Sequence, residues 1–183
     1  MYISEIWSIL KTSHGNAVLL KPKDKEVAVP IFIGTLEMQS ILIGKDGLNP
    51  VRPHTHDLFL NMLACVNLAV KKIEVFELKN DVFHARLIIT GGEYTNENPL
   101  ILDSRPSDAL AIAARKKCPI YIASSIIEQT GVELSYFMNE IEEISDNKYK
   151  SLREQLEQAV AEEEYEQAAE IRDLLKMLES EAK

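Results

Sequence analysis

The chain has 183 residues and a formal net charge of −9, with 46% hydrophobic and 27% charged residues. This length is enough for one domain with a real core, or for a domain with an appendage. The acidic balance excludes a protein that coats itself with nucleic acid through a broad basic surface, although a small site that takes single phosphates is still compatible with it. The longest apolar stretch, Leu58 to Val70, is too short to cross a bilayer, so we expect no membrane association.

The two cysteines, Cys65 and Cys118, are far apart in the sequence and lie in apolar contexts without a CxxC spacing. We therefore expect two buried, reduced thiols, as in a reducing cytoplasm. The first residues, "MYISEIWSIL", lack a basic region followed by an apolar block, so no signal peptide is predicted. Both observations lead us to expect a cytoplasmic protein.

Residues 1–33 contain three β-branched or apolar runs separated by "SHGN" and "KPKDK", which predicts three strands. "GTLEMQSILIGKDG" predicts a short helix capped by Thr35, and "RPHTHDLFLNMLACVNLAV" predicts a longer helix capped by Thr55. "KKIEVFEL" and "VFHARLIIT" flank "KND", which is typical of a β-hairpin.

The next segments predict a strand in "LILD", a helix from Pro106 to Lys116 capped by Ser104, and a short strand in "CPIYIA". Residues 124–144 favour neither helix nor strand. We therefore predict an α+β fold with a mixed sheet and packed helices.

The composition changes near residue 146, since no Gly or Pro occurs from Lys148 to Lys183. Apolar residues recur there at helical spacing in two stretches, which we expect to join near residues 162–164. This predicts a C-terminal two-helix hairpin at residues 146–183, following a domain at residues 1–145. A hairpin of this size buries little surface alone, so we expect its apolar stripe to dock on a partner or a second copy.

Three predicted helices begin with an acidic residue in the first turn, namely Glu37, Asp57 and Asp108. An Arg-Pro pair precedes two of these starts, at Arg52 and at Arg105. An acidic residue at this position is stabilised by the helix dipole by about 0.3–1 kcal/mol, and Pro is common in a first turn. Each residue taken alone can therefore be a structural cap or dipole partner.

The junction "DSRPSDA" holds more polar groups than one helix cap requires. Converging carboxylates can hold Mg²⁺ or Mn²⁺, arginine binds phosphate in a bidentate fork, and helix N-termini present N–H groups to anions. Together these groups make a phosphodiester site in which the metal activates water. The candidate metal ligands are Glu37, Asp57, Asp103 and Asp108. The candidate catalytic residues are Asp103 and Asp108, the phosphate-holding Arg52 and Arg105, and His56 as a general acid or base.

Two other hypotheses stay open. In a non-catalytic adaptor, the polar junctions are only caps, the Arg–Asp pairs are structural salt bridges, and the hairpin recruits a repair or stress-response partner. In a phosphate or nucleotide sensor, the same helix N-termini bind the ligand without hydrolysis. The basic runs Lys71-Lys72 and Arg115 to Lys117 could guide a phosphate backbone, but such runs are more often solvated helix ends, where cations suit the dipole.

The ordered segments "IFIGTLEMQSI", "RPHTHDL" and "DSRPSDALAIAAR" resemble the hallmark segments of the bifunctional nuclease family over roughly residues 1–140. This resemblance implies an α+β fold and a nuclease that acts on DNA and RNA, with single strands as the expected substrate. The motif positions map onto Glu37, Arg52, His56, Asp57, Asp103, Arg105 and Asp108.

The tail resembles the UVR motif, a helical hairpin of the bacterial excision-repair nuclease, and "YEQAAEIRD" at Tyr165 to Asp173 carries most of that match. The resemblance implies a hairpin that docks on a protein partner or pairs with itself in a homo-oligomer.

Overall fold

The computed structural model describes residues 1–12, 15–48 and 50–138, and beyond them residues 152, 154–156, 158–159, 164–165, 169 and 171–173. The chain divides into two compact units, Met1–Leu134 and Ser135–Lys183. The predicted boundary between residues 145 and 146 lies outside the described residues.

Strands and helices alternate irregularly along the first unit. Its strands are β1 (Tyr2–Thr12), β2 (Gly15–Pro22), β3 (Val27–Ile33), β4 (Ala69–Lys79), β5 (Val82–Thr90), β6 (Leu100–Ser104), β7 (Ile120–Ile122) and β8 (Val132–Glu133). Its helices are α1 (Thr35–Lys45), α2 (Thr55–Cys65), α3 (Pro106–Lys116) and α4 (Ser124–Thr130). The segment for which the sequence pattern favoured neither state thus contains α4 and β8.

The strands form one sheet in the order β6-β5-β4-β7-β1-β2-β3-β8. The β4–β7 pair is parallel, whereas the other neighbouring pairs are antiparallel. The predicted α+β fold with a mixed sheet is therefore confirmed.

The predicted β-hairpin is formed by β4 and β5. Its two loop residues, Asn80 and Asp81, have φ angles of 50° and 61°. Two consecutive residues in the left-handed region are characteristic of a type I′ turn, whose twist matches that of the flanking strands. Asn and Asp tolerate this conformation better than other side chains do, so the turn residues fix the hairpin locally.

Helix α2 is shorter than predicted, because it ends at Cys65 and the chain enters β4 at Ala69. Asn67 has a φ of 57°, its N–H donates to the carbonyl of Ala64, and the N–H of Leu68 donates to the carbonyl of Leu63. This is the Schellman arrangement that ends helices in a left-handed residue. The apolar run continued past the helix end, so hydrophobicity alone did not reveal it.

The predicted helix caps were wrong by one residue. Helix α2 has His54 as its N-cap, and the backbone N–H of His54 donates to Asp57 Oδ2 at 2.9 Å. The His54 side chain accepts from the backbone N–H of Asp57 in return, which completes a capping box. Thr55 is instead the first helical residue. The N-caps of α1 and α3 are Gly34 and Arg105 rather than Thr35 and Ser104.

Helix α3 is the centre of the first unit. Its residues 109–113 are all buried, as are Pro106 and Ser107. They belong to one cluster with alternate residues of the strands and with residues of α1, α2 and α4. A helix that is buried around most of its circumference must be apolar on most sides, which explains the alanine-rich sequence. Polar chemistry on α3 is therefore confined to its two ends.

The described residues of the second unit are consistent with the predicted hairpin. All of them are helical except residue 164. Ala159 and Ile171 are buried, and Leu152 and Leu156 pack against them. The two apolar stripes of the hairpin therefore contact each other.

The cysteine prediction was wrong for Cys65, which is exposed in the last turn of α2. Cys118 is partly buried, and this burial raises the pKa of its thiol. Both are free thiols. In the described ranges, no helix combines the length and the apolar character needed to span a membrane.

Candidate functional site

Arg105 lies where β6 passes into α3, and it joins two of the predicted acidic residues. Its Nε and Nη2 donate to Asp108 Oδ2 and Oδ1 at 2.8 Å and 3.2 Å, which is a bidentate pair. Its Nη1 donates to Glu37 Oε1 at 3.2 Å. These bonds raise the pKa of Arg105, chiefly through Asp108. The guanidinium thus links the first turns of α1 and α3.

His56, in the first turn of α2, completes this arrangement. Its Nε2 lies 3.3 Å from Asp108 Oδ1. Burial raises the pKa of Asp108, but the hydrogen bonds from Arg105 and His56 outweigh burial, so the pKa stays below its ordinary value. Because an ionised carboxylate only accepts hydrogen bonds, this contact requires a proton on Nε2, and in the uncharged form of an imidazole that leaves Nδ1 as the acceptor nitrogen. We call Glu37, His56, Arg105 and Asp108 the Arg105 cluster.

The Arg105 side chain is 66% exposed although it makes three hydrogen bonds. A guanidinium carries five N–H donors, so two of them, one on each terminal nitrogen, are left for a ligand. These two N–H groups can donate to a phosphate oxygen, and they must do so against the net negative charge that Glu37 and Asp108 give the cluster.

A cavity of about 300 Å³ lies beside Arg105. It is bounded by the end of β3, the turn between β4 and β5, and the start of α3. Strands β3 and β5 are separated by four strands in the sheet, so the sheet must coil strongly around α3 for both to reach this cavity. Its lining includes Phe32, Glu37, Asp81, Val82 and Arg105.

Sequence reasoning missed two of these lining residues, Phe32 and Asp81. Phe32 is 61% exposed, an unusual state for a phenyl ring, and Asp81 belongs to the hairpin turn. "IFIG" reads as an ordinary strand end and "KND" as an ordinary turn. No local pattern indicated that the two segments meet.

Asp57 is separate from the Arg105 cluster. Arg115 donates from Nε to Asp57 Oδ1 at 2.8 Å, and from Nη1 to the carbonyl oxygens of Ser40 and Ala111 at 2.6 Å and 3.1 Å. Burial raises the pKa of Asp57, but the hydrogen bonds from the His54 N–H and from Arg115 lower it by a larger amount. The pKa of Asp57 therefore lies below its ordinary value. Asp57 and Arg115 thus form a structural lock between α2, α1 and α3.

The interpretation of Arg115 as a solvated helix end was wrong, because its side chain is only 7% exposed. The side of the last turn of α3 that carries Arg115 is covered by α1 and α2, so the arginine needs an internal partner. The unusually apolar sequence ahead of Arg115 was the available signal for this burial.

Asp103 and Arg52, two further predicted site residues, are both exposed. Asp103 is on strand β6, opposite Arg86 of β5. Arg52 precedes the N-cap of α2 by two residues. Neither contributes to the hydrogen bonds of the Arg105 cluster within the described part of the chain.

The predicted metal ligands therefore do not form one set. Arg105 lies between Glu37 and Asp108, Asp57 is bonded to Arg115, and Asp103 lies apart on β6. Over the described ranges, no three side chains of His, Cys, Asp or Glu are grouped to hold one metal ion. Arginine supplies the positive charge that the sequence reasoning assigned to Mg²⁺ or Mn²⁺, so the observed arrangement does not fit a metal centre built from these four carboxylates.

Two family models match the chain. One, described as the bifunctional nuclease domain, matches residues 18–135, which is well over half of the chain. The other, the UvrB/uvrC motif, matches residues 146–181. The first match contains the whole Arg105 cluster.

Curated relatives occur in bacteria and plants. An uncharacterized protein of Mycobacterium tuberculosis is 31% identical over 115 residues, which is 63% of this chain and 66% of that protein. Bifunctional nuclease 1 of Oryza sativa subsp. japonica is 27% identical over 122 residues, 65% of this chain and 36% of that protein. Bifunctional nuclease 2 of Arabidopsis thaliana is 28% identical over 183 residues, 87% of this chain and 54% of that protein. The chain thus spans less than two thirds of the length of each of these relatives.

Proposed function

The chain belongs to the bifunctional nuclease domain family, and we propose that it hydrolyses phosphodiester bonds of DNA and RNA at the Arg105 cluster. The observation that carries this proposal is the exposed guanidinium of Arg105, held by Glu37 and Asp108, with His56 on the same Asp108 carboxylate. The family match and the plant relatives named bifunctional nuclease support the reaction class.

In this proposal, Arg105 binds the scissile phosphate through its two uncommitted N–H groups. Negative charge grows on the phosphate oxygens as water attacks, so a donor that is already positioned stabilises the transition state more than the ground state. Asp108 and Glu37 contribute by fixing the guanidinium before the substrate arrives. Phe32, exposed beside the same cavity, offers a ring face on which an unpaired base stacks, which favours single-stranded substrates.

His56 is the proposed general base. Its Nδ1 takes a proton from the attacking water while the new P–O bond forms, and Asp108 stabilises the resulting imidazolium through Nε2–H. The P–O bond to the leaving sugar oxygen breaks in the same displacement, and solvent water supplies the proton that this oxygen takes up. Asp108 therefore serves both the cation that binds phosphate and the base that activates water.

The test is cleavage of labelled single-stranded DNA, single-stranded RNA and duplex DNA by the highly purified full chain. We expect His56→Gln to lower kcat by about 10²-fold or more, and Arg105→Lys and Asp108→Asn to lower kcat/KM by about 10²-fold. Asp46→Asn changes the exposed carboxylate at the C-cap of α1 and is the matched control for Asp108→Asn, so it should cleave like the wild type.

Each arm of the assay has a defined meaning. Cleavage that is equal in the wild type and in the three cluster variants would place the reaction elsewhere. An absence of cleavage by the wild type would overturn the nuclease proposal in favour of the adaptor hypothesis. Parallel reactions with Mg²⁺, Mn²⁺ or EDTA test the predicted divalent cation, and activity that persists in EDTA would show that arginine and histidine suffice.

Arg52 is proposed as a second phosphate contact, outside the reacting group. It is exposed and lies just before the start of α2, which also carries His56. Arg52→Gln should therefore weaken the binding of nucleic acids of all sequences alike. It should also reduce the slope of log K for this binding against log salt concentration by about one. An unchanged salt slope would remove Arg52 from the site.

We further propose that the second unit is a protein-docking hairpin that pairs with a partner or a second copy. The UvrB/uvrC motif match supports this, and Tyr165 in that segment is an exposed aromatic. Sedimentation velocity of the full chain should detect a self-associated species that Tyr165→Ala weakens and Glu154→Gln does not. A monomer at all concentrations would leave only a different protein as the partner.

A further inference from the structure

A second cavity, of about 410 Å³, lies at the opposite end of α3 from the Arg105 cluster. Its size falls within the range of about 300–1,000 Å³ that is typical of small-molecule sites. It lies where the end of α1, the segment before α2, the first turns of α2 and the end of α3 meet. Arg115 follows Arg105 by ten positions, which corresponds to about 15 Å along the helix. The two cavities have no lining residue in common.

Arg115 borders this second cavity and is incompletely paired. Its Nε and Nη1 are hydrogen-bonded, whereas Nη2 is shielded from solvent and has no hydrogen-bond partner in the described structure. A buried cationic N–H without an acceptor is unfavourable, and buried polar groups are satisfied in most native proteins. An oxygen acceptor in the adjoining cavity would complete the bonding of the guanidinium once the side chains that cover Nη2 move aside.

The rest of the lining indicates the ligand class. Lys117 and Asn61 also line the cavity, so with Arg115 three residues whose side chains carry N–H donors border it. The Asp57 carboxylate balances one cation, which leaves a net positive charge. A phosphate monoester has three terminal oxygens for such donors, whereas a carboxylate has only two.

The other side of the cavity is apolar. It is lined by Ile43, Leu48, Pro50, Pro53 and Leu60. Apolar walls combined with a few polar groups are the usual composition of a site for a ring-bearing small molecule. A free inorganic ion would leave these walls uncovered.

We propose that this cavity is a binding site for a small phosphate monoester with an apolar ring body, of the nucleoside monophosphate class. The phosphate is bound by Arg115, Lys117 and Asn61, and the ring packs on the prolines and leucines. The site is independent of the proposed nuclease reaction, because it has no residue of the Arg105 cluster.

Isothermal titration of the full chain with AMP, adenosine and inorganic phosphate tests this site. We expect AMP to bind more tightly than either fragment. Lys117→Gln should weaken AMP binding about tenfold or more, since it removes one charged donor. Lys116→Gln, the neighbouring exposed lysine that does not line the cavity, should leave binding unchanged. Because the Arg105 cluster is itself proposed to bind phosphate, both lysine variants are compared in an Arg105→Met background, in which AMP binding at that cluster does not contribute.

Spectra of ¹⁵N-labelled protein keep the test independent of variant stability. AMP should shift the side-chain amide signal of Asn61, identified by its loss in Asn61→Asp, and the Nε–H signal of Arg115. No binding at millimolar AMP would overturn the proposal. Binding that leaves these signals unmoved or ignores Lys117→Gln, or inorganic phosphate that binds as tightly as AMP, would also overturn it.

Discussion

Removal of the Asp57 carboxylate should destabilise the first unit strongly, because Arg115 would then keep its charge without its ionic partner. Arg115 is 7% exposed and Asp57 is 26% exposed. Breaking a fully buried ion pair from one side costs about 3–5 kcal/mol, whereas exposed pairs contribute about 1 kcal/mol or less. Because Asp57 is partly exposed, loss of its ion pair with Arg115 should lower the free energy of unfolding by about 2–3 kcal/mol. Loss of the capping hydrogen bond from the His54 N–H should remove about 1 kcal/mol more.

We therefore expect Asp57→Ala to lower the free energy of unfolding by about 3–4 kcal/mol, and the Tm by about 10 °C for a protein of this size. Urea unfolding followed by fluorescence measures this loss cleanly, because Trp7 is the single tryptophan and lies in β1 of the first unit. Asp103→Ala removes a carboxylate that is exposed on β6, and it should change stability by no more than about 0.5 kcal/mol.

A double variant separates the loss of the Asp57–Arg115 ion pair from an unspecific loss of stability. Asp57→Ala combined with Arg115→Met removes both charges, so it should be more stable than Asp57→Ala alone, since no unpaired cation is left inside. The reasoning is refuted if Asp57→Ala is as stable as Asp103→Ala. It is also refuted if the free energy of unfolding that the double variant loses equals the sum of the losses in Asp57→Ala and in Arg115→Met.

Two further predictions concern pH and backbone conformation. The pKa values of Asp57 and Asp108 in the folded protein lie below their ordinary values. The unfolded chain therefore binds more protons at acidic pH than the folded protein does. The stability that these two residues contribute is present above the unfolded pKa of about 3.9 and is lost as the pH falls through the lower folded values. Urea midpoints from pH 7 to pH 3 should show this loss, and it should be smaller in Asp57→Asn. Gly91 has a φ of +126°, and a Cβ at this position would lie 2.1 Å from the carbonyl oxygen of Asn67. Gly47 has a φ of +66°, and a Cβ there would have no atom within 4 Å. Gly91→Ala should therefore lower the free energy of unfolding by more than Gly47→Ala does. Gly47→Ala should lower the free energy of unfolding by about 1–2 kcal/mol. Equal urea midpoints for the two variants would contradict the predicted clash at Gly91.

Features that depend on neighbouring residues were predictable from the sequence. The β4–β5 hairpin follows from two strand-forming runs around Asn80 and Asp81, and the start of α3 follows from Pro106 and the acidic first turn. The end of α2 was missed, because Asn67 ends the helix by a left-handed turn while the apolar pattern continues into β4. In that segment, local backbone preference prevailed over hydrophobic periodicity.

The partners of the polar residues were less predictable, because they are distant in sequence. Glu37 and Arg105 are 68 positions apart, and Asp57 and Arg115 are 58 positions apart. The sequence identified carboxylates and arginines at the helix starts, but spacing cannot state which of them meet. Within the Arg105 cluster, only the Arg105–Asp108 pair, three positions apart at the start of α3, was within the reach of a local rule.

The excess of polar residues at the helix starts therefore has two physical causes. His56 and Asp57 are neighbours in the chain, yet they bond to opposite ends of α3, through Asp108 in its first turn and Arg115 in its last. Since α3 is buried along its middle, its ends are the places where α2 can be held by polar contacts. The covered end holds a cation that must be paired for the fold to be stable, whereas the exposed end presents Arg105 to solvent. Stability should accordingly depend most on Asp57, and phosphate chemistry on Arg105.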